Sequence, residues 1–161
     1  MMIKRMVCAL CAVMLSLSLC ACGEKTKSID MQALENSMVS ADKSLPEMKV
    51  SGSWDENAEK AFSYISDLEN NKLHGFSLAY AADGMAYEIA VVQLKDKSDA
   101  SAMADSLREH VRSRVQMYKT YEPQQMQRAE SAVVKTDGDC VLLIMSDAPQ
   151  NAETAFKEFT K

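Results

Sequence analysis

The chain contains the same local pattern twice: two short apolar segments joined by an Asp-Gly pair and followed by an amphipathic helix. In the first copy, alternate residues on both sides of Asp83-Gly84 are apolar: Phe76, Leu78, Tyr80, Tyr87, Ile89 and Val91. This alternation is typical of β-strands, and the glycine supplies the positive φ that a tight hairpin turn needs. Because the strands of a hairpin are antiparallel, the pattern indicates an antiparallel sheet with helices packed on it.

A long helix is predicted after the first hairpin. Ser98 or Asp99 can cap its N-terminus, and Tyr121-Glu122-Pro123 ends it. Apolar residues recur along one side of this helix: Ala100, Met103, Ala104, Leu107, Val111, Val115 and Tyr118. We expect this side to pack on the sheet.

The second copy begins with a strand at residues 132–136 and turns at Asp137-Gly138. A strand over Cys140–Met145 and a last helix with Pro149 in its first turn complete it. Since all residues of this strand after Cys140 are apolar, both of its faces must be covered, and we expect it inside the sheet.

These patterns predict an α+β fold of two layers with an antiparallel sheet of about four strands. The helices are expected mainly on one face, and the segment before Leu73 is expected to cover the other. That segment includes an N-terminal helix, which Asp30 can cap and which the spacing of Met31, Leu34 and Met38 predicts. A further helix is expected to begin near Asp55, because apolar residues recur at helical spacing from Ala58 to Leu68.

Residues 19–23, Leu-Cys-Ala-Cys-Gly, end an apolar run and resemble the lipobox of a bacterial lipoprotein signal peptide. The run follows Lys4-Arg5 and is shorter than the roughly 20 residues of a transmembrane helix. Ala21 is small, as cleavage requires, and Cys22 carries the thiol that accepts lipid chains such as palmitate. Cleavage elsewhere by an ordinary signal peptidase, or an uncleaved anchor, is the alternative.

We therefore predict three segments: a lipoprotein signal peptide at 1–21, a lipidated Cys22 with a short tether at 22–29, and a single α+β domain at 30–161. In this processed chain Cys140 is the one free thiol, and it is expected in the core. An internal disulfide is then impossible.

Cleavage also removes Lys4 and Arg5, which changes the formal net charge from −5 to −7. An acidic domain is not an expected partner of nucleic acid. The expected partners are the membrane, reached through the lipid on Cys22, and an envelope protein or cell-wall component. The lipid predicts a location on the extracytoplasmic face of the cell membrane.

No motif for catalysis, a metal or a cofactor stands out. His74 and His110 are the two histidines, and neither belongs to a zinc-binding motif. His110 adjoins the apolar side of the long helix and is expected as a boundary residue. No serine stands in a Gly-x-Ser-x-Gly elbow, and the five glycines form no phosphate-binding loop. We predict no catalytic residue, no metal and no cofactor.

Five residues are candidates for a binding or a structural role: Glu88, Tyr121, Pro123, Arg108 and Arg112. Glu88 interrupts an apolar strand, so it either faces solvent or is a buried carboxylate paired with Arg128 or a lysine. The segment from Tyr118 to Gln124, which contains Tyr121 and Pro123, is either a recognition loop or a helix end at which tyrosines pack.

Arg108 and Arg112 each follow an acidic residue by three positions. Such pairs are typical of a solvated helix face. As an alternative, this basic face, which also carries Arg114 and Lys119, could contact anionic lipid headgroups or wall polymers.

The order of these features resembles a family of small lipoproteins that share domain of unknown function 4358. The features are the lipobox, residues 88–92 running into Lys95-Asp96, the long helix, Tyr121-x-Pro123 and the Gly138-x-x-Val141-Leu142-Leu143 strand. The likeness covers about residues 45–159. The family members are Gram-positive, mostly clostridial, proteins, so the resemblance implies the outer leaflet of the cytoplasmic membrane. The family has no established activity, and the resemblance implies no catalytic residues.

Three functions follow from the sequence. The leading hypothesis is a non-enzymatic, membrane-anchored module that binds a protein or an envelope component. A small-ligand or solute-binding lipoprotein is the second, although transport receptors usually have two lobes. The third is an enzyme that hydrolyses envelope polymers through Glu88 and a second carboxylate.

Overall fold

The computed structural model describes residues 28–161, so the predicted signal peptide and Cys22 lie outside the described residues. In chain order the elements are α1 (Met31–Ala41), β1 (Met48–Gly52), α2 (Ala58–Ser63), β2 (Leu73–Ala81), β3 (Glu88–Leu94), α3 (Ala100–Tyr121), α4 (Pro123–Glu130), β4 (Val133–Asp137), β5 (Cys140–Met145) and α5 (Pro149–Phe159). Short 3-10 turns, Asn70–Lys72 and Lys97–Asp99, precede β2 and α3.

The described strands form one open, antiparallel sheet in the order β1-β2-β3-β5-β4. The α+β class and the antiparallel sheet are therefore confirmed, but the sheet has five strands instead of about four. The additional strand is β1, which pairs with β2 at one edge, with Met48 opposite Ala81 and Gly52 opposite Ser77. Lys49 and Val50 in its middle are exposed, so β1 lacks the alternation of buried residues that identifies a strand.

Both predicted hairpins are present. Gly84 and Gly138 have positive φ values of 83° and 60°, as the two Asp-Gly turns require. β3 and β5, the second strands of the two hairpins, pair with each other, with Glu88 opposite Met145. β5 lies between β3 and β4 and is buried along its whole length, which confirms its predicted interior position.

Helices cover both faces of the sheet. The segment before Leu73 supplies α1 to the face opposite α3, as predicted, but α5 packs there as well, so the helices do not lie mainly on one face. α2 and α3 pack on one face, with Phe62, Met103 and Leu107 among the buried residues. α1 and α5 pack on the other, where Leu34 and Phe156 are buried. The physical reason lies in β3 and β5: each is apolar on both sides, so each needs a helix above and below it.

Some of the helix ends are those that the sequence predicts, and others are not. The Asp30 side chain accepts a hydrogen bond from the backbone N–H of Ala33 at 3.0 Å, which confirms the predicted cap of α1. Ahead of α3, it is Asp96 that accepts from the N–H of Ser98, at 2.8 Å, and α3 itself has no side-chain cap. α4 was not predicted; it begins at Pro123, where the missing N–H costs little.

Candidate functional site

A cleft of about 610 Å³ lies on the α2–α3 face of the sheet, over β1 and β2 and beside the turn between β2 and β3. This volume is within the range of small-molecule sites, about 300–1,000 Å³. Large side chains and two cations stand in its walls: Lys60, Tyr64, Tyr80, Met85, Arg114 and Met117. Tyr64 and Met85 are 46% and 43% exposed, so the apolar surface of the cleft is open to solvent.

Arg114 is held against two tyrosine rings in the α3 wall of the cleft. Its guanidinium carbon lies 4.8 Å from the ring centroid of Tyr118 and 5.9 Å from that of Tyr64. The guanidinium donates a hydrogen bond to the Tyr118 hydroxyl, which donates to the carbonyl oxygen of Gly84 at 2.9 Å. This chain of contacts fixes the cation in place and ties α3 to the β2–β3 turn.

Tyr64 forms the wall between the cleft and the protein interior. Its ring lies 6.3 Å from that of Tyr80 and meets the His110 ring edge-on at 5.2 Å, measured between centroids. Burial, and then the negative charge of Glu88, raise the pKa of Tyr64. Tyr64 therefore stays a neutral phenol over the physiological range and offers the cleft an aromatic face and a hydroxyl.

Behind Tyr64 lies a buried pair formed by Glu88 of β3 and His110 of α3. Oε1 of Glu88 is 2.8 Å from Nε2 of His110, and the two side chains are 1% and 8% exposed. Of the two possibilities for Glu88, the paired and buried carboxylate is therefore correct. Its partner is the histidine that was expected to be a boundary residue, and not Arg128 or a lysine, because Arg128 pairs with Asp147 at 2.8 Å.

Arg108 and Arg112 lie on the exposed side of α3. Arg108 pairs with Asp105 at 2.8 Å, and Arg112 pairs with Glu109. Their side chains are 49% and 63% exposed, which agrees with a solvated helix face and places them outside the cleft.

Tyr121 and Pro123 lie where α3 ends and α4 begins. Tyr121 is 78% exposed at the last position of α3, while Tyr118, one turn earlier, is buried. Pro123 opens α4, so a helix follows the tyrosines in place of a recognition loop. Neither residue lines the cleft.

Sequence reasoning missed the cleft residues Tyr64, Tyr80 and Met117, and it placed Arg114 on the solvated basic face of the long helix. For Arg114 a signal was available: no acidic residue stands three or four positions before or after it, in contrast to Arg108 and Arg112. A helix arginine without an acidic neighbour either contacts solvent or is paired across the tertiary structure. For the tyrosines no such signal exists, because the cleft forms only when α2 packs beside α3.

A second buried acid lies on the opposite face of the sheet. Glu35 of α1 accepts a hydrogen bond from the Ser77 hydroxyl of β2 at 2.5 Å, and its side chain is inaccessible to solvent. Burial raises the pKa of Glu35 to about 8, against the effect of the Ser77 hydrogen bond. Glu35 is therefore mostly protonated at neutral pH, which lowers the cost of its burial.

Two other kinds of feature are absent from residues 28–161. No group of three or more His, Cys, Asp or Glu side chains in this part of the chain could hold a metal ion. None of the helices in the described region has the length and apolarity that crossing a membrane requires.

Comparison with protein families matches the chain to the domain of unknown function DUF4358 over residues 48–146. The match spans the five strands, the cleft and helices α2 to α4, while α1 and α5 lie outside it. It is shorter at the C-terminal end than the likeness over residues 45–159 that the sequence motifs predicted. No curated protein and no solved structure gives a significant match. Because the match covers more than half of the chain, the protein belongs to the DUF4358 family.

Proposed function

We propose that this protein is a non-enzymatic binding module, held at the extracytoplasmic face of the membrane by a lipid on Cys22, whose cleft between α2 and α3 takes a small ligand. The observation that carries the proposal is the cleft itself: about 610 Å³ of space bounded by two tyrosines, two methionines and a fixed arginine. Pockets with mostly apolar walls and a few placed polar groups are the usual form of a small-molecule site.

The chemistry of the walls favours binding over catalysis. The side chains of residues 28–161 that line the cleft include no Asp, Glu, His or Cys. Glu88, the residue on which the hydrolase alternative depends, pairs with His110 behind Tyr64 and is 1% exposed. General acid–base catalysis needs a group within hydrogen-bond reach of the substrate, and Glu88 lies outside the lining.

The tether joins the domain far from the cleft, and this separation supports a cleft that opens away from the membrane. The backbone N–H of Ile29 donates to Oε1 of Gln93 at 3.1 Å, near the end of β3, and Ile29 packs on the α1–α5 face. The cleft lies on the opposite face and toward the other end of β3, where Glu88 begins the strand. Seven strand residues span about 20 Å, so the tether and the cleft are on opposite sides of the domain.

A first experiment tests the anchor. In cells, Cys22→Ala is expected to move the protein from the membrane fraction to the soluble or secreted fraction, and Cys20→Ala serves as the matched control that stays in the membrane. If Cys22→Ala remains membrane-bound with its leader removed, the lipoprotein part of the proposal is wrong.

A second experiment tests the cleft. The lipidated protein, extracted in detergent, is screened for thermal stabilisation by a library of small aromatic and aliphatic compounds. Ala82→Trp fills the cleft and is expected to abolish the stabilisation, whereas Ala102→Trp, at an exposed position on α3, is expected to retain it. Stabilisation that survives Ala82→Trp would place the ligand elsewhere.

A further inference from the structure

Arg114 differs from every other arginine in residues 28–161. Arg108, Arg112 and Arg128 each form an ion pair with a carboxylate, at Asp105, Glu109 and Asp147 respectively. Within the described region Arg114 has no carboxylate within 4 Å, although it belongs to an acidic protein that has more carboxylates than cations. The cation in the cleft wall therefore has no ion-pair partner within 4 Å among the described residues.

The hydrogen bonds of Arg114 leave its guanidinium incompletely satisfied. Its Nε has no hydrogen-bond partner among the described residues, but it is buried, so the donor that a ligand in the cleft can engage is Nη1. Its Nη1 contacts only the thioether sulfur of Met117, at 3.5 Å, and thioethers are weak acceptors. A guanidinium offers five donors in a planar fork that matches a carboxylate, so an acidic group in the cleft would replace the sulfur as the partner of Nη1.

The rest of the cleft is suited to an apolar body. Tyr64 and Tyr80 present their rings at 41° to each other, and Met85 and Met117 add flexible apolar side chains. Lys60 is the other cation in the wall and is exposed, so its ammonium is strongly hydrated. One fixed guanidinium matches a single negative charge, and the net charge of the domain disfavours approach by a multiply charged ligand.

We propose that the cleft binds small molecules that carry a carboxylate on an aromatic or aliphatic body, with Arg114 binding the carboxylate and Tyr64, Tyr80 and Met117 contacting the body. This inference rests on the proposed binding function and specifies its ligand class. The orientation is fixed by the geometry: the charged end lies against α3, and the apolar end lies over β1 and β2 toward α2.

The test compares matched acids and amides on the lipidated protein in detergent. The probes are 3-phenylpropionate, indole-3-acetate and octanoate, each paired with its uncharged amide, and binding is measured by equilibrium dialysis. At least one acid is expected to bind about tenfold or more tightly than its amide, because a hydrogen bond between two charged groups raises affinity by about that factor. Raising the salt concentration is expected to weaken binding of the acid more than that of the amide.

Three variants assign the effect to Arg114. Arg114→Gln is expected to remove the preference for the acid, and Arg114→Lys to keep part of it, because the charge remains while the fork is lost. Arg108→Gln, an exposed arginine on the same helix, is the control that keeps the full preference. Unchanged melting temperatures of the two Arg114 variants show that the fold is retained.

The outcomes separate this inference from the proposed function. Equal binding of acid and amide, or a preference that survives Arg114→Gln, overturns the carboxylate assignment while the cleft remains a binding site. Tighter binding of phenyl phosphate than of all the acids overturns it in favour of a phosphate. If no acid, amide or uncharged library compound binds, both the inference and the proposed function are wrong.

Discussion

Oε1 of Glu88 lies 2.8 Å from Nε2 of His110, and this contact joins the first residue of β3 to the middle of α3 in the protein interior. Oε2 of Glu88 has no hydrogen-bond partner among the described residues. Because a buried carboxylate without a partner is costly, His110 stabilises the fold mainly by satisfying Glu88. The same imidazole supports the ring of Tyr64, so the pair also positions a wall of the cleft.

We therefore expect His110→Ala to lower the free energy of unfolding by about 2 to 4 kcal/mol, because it leaves the Glu88 carboxylate buried and unpaired. Urea unfolding measures the change. Arg108→Ala, which removes an exposed ion pair two residues earlier on α3, is the control and is expected to cost less than about 0.5 kcal/mol. Equal costs for the two variants would show that the buried contact contributes little.

The fold was predictable where local sequence decides structure. Both hairpins, α3 and α5 follow from alternation, Asp-Gly turns and helical spacing, and these elements were placed nearly correctly. β1 was missed because an exposed edge strand of five residues has no distinctive pattern. The sequence predicts that α2 extends toward Leu68, but the helix ends at Ser63. Ile65 and Leu68 continue the helical spacing of apolar residues, yet they pack on the core from a segment that is not helical.

The face on which each helix packs was not predictable. The hairpins β2–β3 and β4–β5 lie side by side through the antiparallel pairing of β3 with β5, yet the helices that follow them, α3 and α5, pack on opposite faces of the sheet. A strand that is apolar on both sides does not specify where the next helix turns. For the same reason the cleft, which depends on α2 and α3 sharing a face, could not be derived from the sequence.

Glu35 predicts a pH dependence of stability. Its pKa is raised from 4.5 to about 8 in the folded protein, so the folded form retains a proton that the unfolded form has released at intermediate pH. Its contribution to stability is fully present below about pH 4.5 and is lost as the pH rises toward about 8. We expect Glu35→Gln, which stays uncharged, to flatten the stability curve over this range by up to about 1.4 kcal/mol per pH unit.

Urea unfolding at several pH values checks the Glu35 prediction. Glu153→Gln is the matched control: hydrogen bonds from Lys135 and Lys157 lower the pKa of Glu153, so its contribution is lost only as the pH falls below about 4.5. The curves of the wild type and Glu153→Gln should therefore run parallel between pH 5 and 8. A Glu35→Gln curve that also runs parallel to them would mean that Glu35 is ionised in the folded protein.

Cys140 is expected to resist thiol reagents in the folded protein. It is 2% exposed at the start of β5, and burial, with a smaller effect from the Asp139 carboxylate, raises its pKa to about 12. In the chain processed at Cys22 as we propose, Cys140 is the one thiol, and its labelling should be slow in buffer and fast in concentrated urea. Rapid labelling in buffer would contradict the buried position.

Substitution of the same residue tests the packing. Cys140→Ser is expected to lower the free energy of unfolding by about 1 to 3 kcal/mol, because it buries a hydroxyl in the core, and Oδ1 of Asp139, 3.8 Å from the sulfur, is too distant for a good O–H···O hydrogen bond. Cys140→Ala is the comparison that removes the sulfur without adding a polar group. If the serine variant is as stable as the alanine variant, the hydroxyl finds a hydrogen-bond partner at this site.

The last prediction concerns Arg128, which joins α4 to the loop between β5 and α5. Its Nε and Nη2 donate to the two carboxylate oxygens of Asp147 at 2.8 and 3.0 Å, and its guanidinium carbon lies 3.9 Å from the centroid of the Tyr87 ring. The hydrogen bonds from Arg128 also lower the pKa of Asp147.

A lysine at position 128 keeps the positive charge but loses both the forked pair of hydrogen bonds to Asp147 and the planar stacking on Tyr87. We expect Arg128→Lys to lower the free energy of unfolding by about 1 to 2 kcal/mol in urea unfolding. Arg112→Lys, at an exposed pair with Glu109, should change it by less than about 0.5 kcal/mol, and equal effects of the two substitutions would contradict a role for the stacked, two-bonded geometry.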